Sequence, residues 1–269
     1  MSSFEYSLAG RISVVTGGAS GIGEACVRKL FALGSTVIIA DLSQEKGDTI
    51  VHELTSNADV SNEADVVYMN VDLSKWHETK EFAKTVLEKF GCVHILINNA
   101  GCQIIASLEE FSLDNFRYMN ELMLVSPLLL TQAFIPTMYK AKWGRIINIG
   151  SIHSLVASPG KIAYISIKHA LLGLTKGTAV EAGKHGVTAN CICPFHVRTL
   201  LVEKQLKEQA NFYGMSEEEV GKKILLRDAA IKRFLEPSEI AELCAFLCSN
   251  AASGITGSEQ KIDCGWTAQ

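Results

Sequence analysis

At 269 residues the chain is long enough for one α/β domain with a sizeable buried core. A formal net charge of -4 and the absence of any Lys/Arg run give no electrostatic case for nucleic acid or an anionic membrane surface. Residues 1–7 show no basic segment leading into an apolar run, and no unbroken apolar stretch nears the ~18 residues of a membrane span, so the chain reads as soluble and cytoplasmic.

In chain order, a first apolar strand reads over Ile12–Thr16 and runs into the glycine-rich turn from Thr16 to Gly23, followed by a helical pattern over Ile22–Leu33. A second strand reads over Thr36–Ala40 with a helix over Glu45–Thr55, and a third over Val67–Val71 with a helix over Trp76–Phe90. The fourth strand, Ile95–Asn98, precedes a long apolar helix, Leu113–Tyr139; the fifth, Arg145–Ile149, precedes a helix over Ala163–Ala182. Thr188–Cys193, a helix over Pro237–Leu247 and a short strand at Gln260–Ile262 complete the pattern. Strands apolar on both faces, alternating with helices, predict a single Rossmann-type doubly wound parallel sheet of about seven strands, helices on both faces. No linker or repeat divides the chain, so residues 1–269 read as one domain. Residues 195–234, rich in Lys, Glu and Gln, break the rhythm beyond a strand's carboxyl end. They read as a small helical substrate lid, or as a purely structural helical excursion.

Eight cysteines are scattered without a C-x-x-C pair. They read as small buried hydrophobes in a reducing compartment rather than as a metal site. Cys191 and Cys193 alternate on a strand and so share a face, and Cys244 and Cys248 lie one helical turn apart.

The turn carrying Gly17, Ser20, Gly21, Ile22 and Gly23 joins a strand to a helix, where backbone free of Cβ lets amide groups approach a pyrophosphate. Asp41, 18 residues beyond Gly23, closes the second strand. Its carboxylate there accepts from ribose hydroxyls and repels a 2′-phosphate, which selects NAD over NADP; capping of the next helix is the alternative role. Asp72 is placed to meet the adenine edge. Asn99, Ala100 and Gly101 end the fourth strand, where Asn99 either pins neighbouring strands or touches the cofactor. Pro194, ending the sixth strand, lines the same side.

Tyr164 and Lys168 lie four apart on one helical face, with Ser151 placed 13 residues before the tyrosine at a strand end. An ammonium beside a phenol lowers its pKa, and a fall of about 3 units needs about 4 kcal/mol of differential stabilisation. Tyr-x-x-x-Lys alone is common; together with Ser151 and the upstream turn it points to alcohol/ketone redox chemistry with a nicotinamide.

These motifs, with Asn98-Asn99-Ala100-Gly101, resemble the short-chain dehydrogenase/reductase superfamily over essentially the whole chain. Residues 143–149, 153–158, 161–164, 201–205 and 265–268 are similar to D-3-hydroxybutyrate dehydrogenases of the bacterial type. That resemblance implies NAD-dependent interconversion of D-3-hydroxybutyrate, or a close short-chain 3-hydroxy acid, with its 3-keto acid. It makes Ser151, Tyr164 and Lys168 catalytic and gives a small anionic acid contacts at Gln103, His153, Lys161, Gln205 and Trp266. It also implies a homotetramer built on the helices at Leu113–Tyr139 and Ala163–Ala182. A reductase of a 3-oxoacyl thioester or sugar, and a weakly active NAD-binding regulatory protein, are the alternatives.

Two departures stand out. Met123 occupies the position, 13 residues before Pro136, where the family carries an asparagine that holds a relay water, a task a thioether cannot perform. Asn120, one turn earlier, is the candidate substitute. Phe195-His196 stands where the family has Gly-Trp, so the backbone beside the nicotinamide is restricted and His196 adds a titratable group to the substrate wall.

Overall fold

The computed structural model describes residues 6–56, 64–199, 202, 203, 206, 207, 210 and 214–268. Seven strands, β1 (Ile12–Thr16), β2 (Thr36–Asp41), β3 (Val66–Asn70), β4 (Ile95–Asn98), β5 (Gly144–Ile149), β6 (Val187–Pro194) and β7 (Glu259–Ile262), form one sheet ordered β3-β2-β1-β4-β5-β6-β7. Every neighbouring pair is parallel, with Val14 opposite Ile38 and Leu96, and Ile147 opposite Asn190.

Alternation along the strands makes two cores. Val15, Ile39, Ile97 and Ile147 face helices α1 (Gly21–Ala32) and α2 (Gln44–Ser56) and the late helix Pro237–Cys248. Their neighbours Val14, Ile38, Leu96 and Ile146 face α3 (Trp76–Phe90), α5 (Ser126–Ala141) and the end of α6 (Ile162–Ala182). Successive side chains on a strand point to opposite faces, so strands covered on both sides are apolar throughout. The predicted doubly wound fold is present, with most element ends within one or two residues of expectation.

The region read as one helix over Leu113–Tyr139 is three pieces. Helix α4 (Leu113–Asn120) passes through a π turn, Glu121–Val125, into α5. The π turn joins two helical stretches without a break, so the sequence pattern reads as one helix. By length and composition Leu113–Ala141 could cross a membrane, and 39% of its apolar window is buried in the fold.

The excursion after β6 leaves and returns side by side. Arg198 N donates to Leu235 O at 2.8 Å and Leu235 N to His196 O at 2.9 Å. Its described parts include α7 (Glu217–Val220), a π turn at Gly221–Leu225, and a small apolar cluster of Ala210, Val220 and Leu225. Helix α8 (Pro237–Cys248) follows.

Candidate active site

The sheet order reverses between β1 and β4, and a cleft of about 440 Å³ opens at the strands' carboxyl ends there. Its dinucleotide half begins at the turn after β1. Gly17 and Gly21 hold φ values of +62° and +55°, the left-handed region that a side chain disfavours. A Cβ on Gly17 would meet Ala100 Cα at 2.9 Å, which also fixes how closely the β1 and β4 loops approach. Gly23 is a packing glycine and does not line the cleft: a Cβ there would stand 2.0 Å from Gly17 O. Ser20 at the N-cap of α1 makes no capping hydrogen bond, so the first N–H groups of the helix are left for an anion at the turn.

Asp41 lines the cleft and is doubly held. Its Oδ2 accepts from Ala19 N and its Oδ1 from Ser43 N, both at 3.0 Å. The carboxylate therefore tethers the glycine turn and shapes the approach to α2, with lone pairs left for a ribose. Asp72 is not in the lining. Its Oδ1 accepts from Ser74 N at 3.0 Å and Ser74 Oγ at 2.6 Å, and Lys75 lies 3.4 Å from Oδ2. This local turn holds the side chain that was expected at the adenine edge, while its neighbours Val71 and Leu73 line the cleft. Asn99 pins strands: its Nδ2 donates to Thr16 O and Gly17 O, both at 3.0 Å.

Thr16 and Thr199 escape sequence reasoning. Thr16 Oγ1 accepts from the N–H groups of Asn99 and Ala100, and Thr199 lines the cleft beside Gly21. A threonine between a strand and a glycine was the available signal for the first; nothing in the composition marks the second.

In the reacting half, Ser151, Tyr164 and Lys168 converge. Ser151 caps a short 3₁₀ turn, Ile152–Ser154, its Oγ accepting from His153 N at 3.2 Å. A buried chain aligns the supporting elements: Asn98 Nδ2 donates to Asn148 Oδ1, and Asn148 Nδ2 to Thr175 Oγ1, each at 2.8 Å. Burial pushes the Tyr164 phenol up to about 12, against the pull of its hydrogen bond with Ser151. Burial also brings the Lys168 ammonium down to about 8, and its Nζ donates to Ile149 O at 2.6 Å. In the chain by itself desolvation outweighs any acidifying effect of Lys168 on the phenol, and the ammonium is turned to a carbonyl.

Among the expected acid contacts, Gln103, His153, Lys161 and His196 line the cleft. Gln103 Nε2 is buried without a partner among the described residues. Lys161 Nζ lies 3.5 Å from His153 Nε2, and no acidic side chain among the described residues pairs with it. Burial and this ammonium hold His153 down to about 4, and burial with Lys161 and His153 holds His196 down to about 3. Both imidazoles are neutral near pH 7. Trp266 does not line the cleft: it stacks on Phe195, centroids 6.1 Å apart, and Phe195 supplies the wall instead. Gln205 lies outside the described residues. Met123 is fully buried in the π turn and lines the cleft; Asn120 does not, so it offers no substitute there.

Residues 11–210 match the family model for short chain dehydrogenase. The chain belongs to the short-chain dehydrogenase family. It is 37% identical over 260 residues to the D-beta-hydroxybutyrate dehydrogenase of Rhizobium meliloti, spanning 96% of this chain and 99% of that protein. Identity to the enzyme of that name from Cupriavidus necator is 36% over 262 residues, 97% and 100% of the two chains. Among solved short-chain dehydrogenase structures, the L-sorbose reductase of Gluconobacter frateurii, complexed with NADPH and L-sorbose, superposes with a TM-score of 0.92 at 26% identity, covering 99% and 100%. A putative NAD(P) dependent gluconate 5-dehydrogenase from Beutenbergia cavernae with bound NADP gives 0.88 at 27%, covering 98% and 100%. The chain is therefore an oxidoreductase of the short-chain dehydrogenase family, similar in sequence to hydroxybutyrate dehydrogenases.

Proposed function

We propose that the chain interconverts D-3-hydroxybutyrate, or a close short-chain 3-hydroxy acid, with its 3-keto acid, using NAD. The observation that carries this reading is the half-buried Lys161 ammonium, without an acidic partner among the described residues, facing a cleft that also holds the unpartnered Gln103 amide. A buried charge is costly unless paired, and a ligand carboxylate completes this one. A neutral sugar or a bulky thioester leaves it uncompensated.

The chain's own residues fit a dinucleotide: the uncapped start of α1, the positive-φ glycines and Asp41 form a cradle for pyrophosphate and ribose. NAD bound there supplies the hydride acceptor. The Asp41 carboxylate favours NAD by repelling a 2′-phosphate. Ser151 orients the reacting oxygen, and Tyr164 moves the hydroxyl proton. In the chain by itself the phenol is protonated, the state that donates to a ketone; oxidation requires its pKa to fall, as positive charge beside the phenolate brings about. Lys168, on the same helical face as Tyr164, would also hold the cofactor ribose.

Steady-state assay with NAD and NADP against a panel of hydroxy acids tests the proposal. Turnover of short 3-hydroxy acids with NAD is expected; activity only with NADP, or only with bulky alcohols, overturns it. We also propose a homotetramer, since Leu113, Leu128 and Val180 leave apolar surface on α4, α5 and α6 that a second copy would cover. A monomeric mass by light scattering would refute this.

A further inference from the structure

The cleft holds one polar ring beyond the groups expected to contact 3-hydroxybutyrate. Lys161 and Gln103 answer its carboxylate, and Ser151 and Tyr164 its hydroxyl. His153 already faces the Lys161 ammonium at 3.5 Å. This leaves His196, which lines the same cleft and whose ring makes no hydrogen bond among the described residues. Its position is fixed from the backbone. His196 O accepts from Leu235 N, and the preceding Phe195 N donates to Ile262 O at 3.0 Å. The imidazole packs against Phe195, centroids 4.5 Å apart, and edge-on toward Phe234 at 6.4 Å, so its faces are committed while its nitrogens have no partner among the described residues.

Resting on the reading of this cleft as a 3-hydroxy-acid site, we propose that His196 selects the substrate: the site takes 3-hydroxy acids bearing a hydroxyl on C4, rather than a bare methyl. Held neutral by burial and by the neighbouring Lys161 and His153, the ring offers one donor and one acceptor. A second carboxylate, which only accepts, matches half of that pair and meets the imidazole lone pair with its own. A hydroxyl matches both. A methyl dries the imidazole without replacing its water partners, and sites that hydrogen-bond a substrate hydroxyl reject analogues lacking it more strongly than apolar pockets reject an added one.

The experiment compares racemic 3-hydroxybutyrate with racemic 3,4-dihydroxybutyrate as substrates at saturating NAD, on the wild-type protein, His196→Leu and His196→Asn. The wild type should favour the dihydroxy acid at least tenfold in kcat/KM. His196→Leu should lose or reverse that preference, and His196→Asn, which keeps a donor and an acceptor, should retain part of it. Equal or better use of the methyl acid by the wild type overturns the inference while leaving the acid-dehydrogenase reading intact. An equal loss for both acids in His196→Leu also overturns it, because His196 would then serve the shared carboxylate. Turnover of neither acid by a protein that binds NAD removes the dehydrogenase reading and this inference with it. Circular dichroism melts confirm that each variant is folded.

Discussion

Lys168 donates to the Ile149 carbonyl at 2.6 Å and keeps its Nζ 5.5 Å from the centre of the Tyr164 ring. The lysine is thus a buried cation without an acidic partner among the described residues, and burial brings its pKa from 10.5 to about 8. Below pH 8 the folded protein must bury the charge; between about 8 and 10.5 the folded lysine is neutral while the unfolded one still binds a proton. Stability from this group therefore rises with pH across that window, by about 3 kcal/mol at 1.36 kcal/mol per unit. Lys168→Met should lower kcat at least 10²-fold yet raise stability at pH 7 by about 1–2 kcal/mol, after the Ile149 carbonyl loses its donor. Urea unfolding at pH 7 and pH 10 checks it: the advantage must shrink at the higher pH.

Asp41 tests cofactor choice. Asp41→Asn keeps an acceptor for Ala19 N or Ser43 N but removes the charge that opposes a 2′-phosphate. The ratio of kcat/KM for NAD over NADP should fall by roughly 10-fold or more, equivalent to about 1.4 kcal/mol. An unchanged ratio would assign the aspartate to loop tethering alone.

The fold was legible because parallel strands covered on both faces must be apolar throughout, as Val14-Val15 and Ile38-Ile39 are. The glycine turn and the Ser151, Tyr164 and Lys168 spacing were legible because a strand end and one helix face fix them. What failed depended on competition invisible in sequence. Asp72 was captured by Ser74 and Lys75 two and three residues away. Trp266 stacks on Phe195, and the phenol's raised pKa follows from burial that only the packed site creates.

Lys161 separates binding from chemistry. Lys161→Met removes a charge-assisted contact worth about 1.5–3 kcal/mol, so KM for the acid should rise roughly 10- to 150-fold while kcat changes little. Because the ammonium lacks an acidic partner among the described residues, the melting temperature should not fall. A drop in kcat with unchanged KM would move Lys161 out of the binding site.

The two neutral imidazoles make the fold acid-sensitive. His153 and His196 titrate near 6.5 when unfolded but are held to about 4 and about 3 when folded. Below pH 6.5 the unfolded chain takes up protons that the folded one refuses, so this stability is present above 6.5 and lost as pH falls toward 4. Each should cost about 2 kcal/mol between pH 7 and pH 5. His153→Gln should therefore show a shallower decline in urea stability over that interval than the wild type does.

Met123 stands in the π turn at Glu121–Val125, at the position expected for the relay asparagine, with its thioether fully buried. Placing an amide there restores a group able to hold water in the cleft but buries a polar side chain in an apolar cluster with Met119, Ala163 and Ile167. Met123→Asn should raise kcat and lower stability by about 2 kcal/mol, the two effects having separate physical causes. Stopped-flow and steady-state rates in water and deuterium oxide check the first, and urea unfolding the second. An unchanged kcat with an unchanged solvent isotope effect would mean that proton transfer from Lys168 to solvent does not limit this protein.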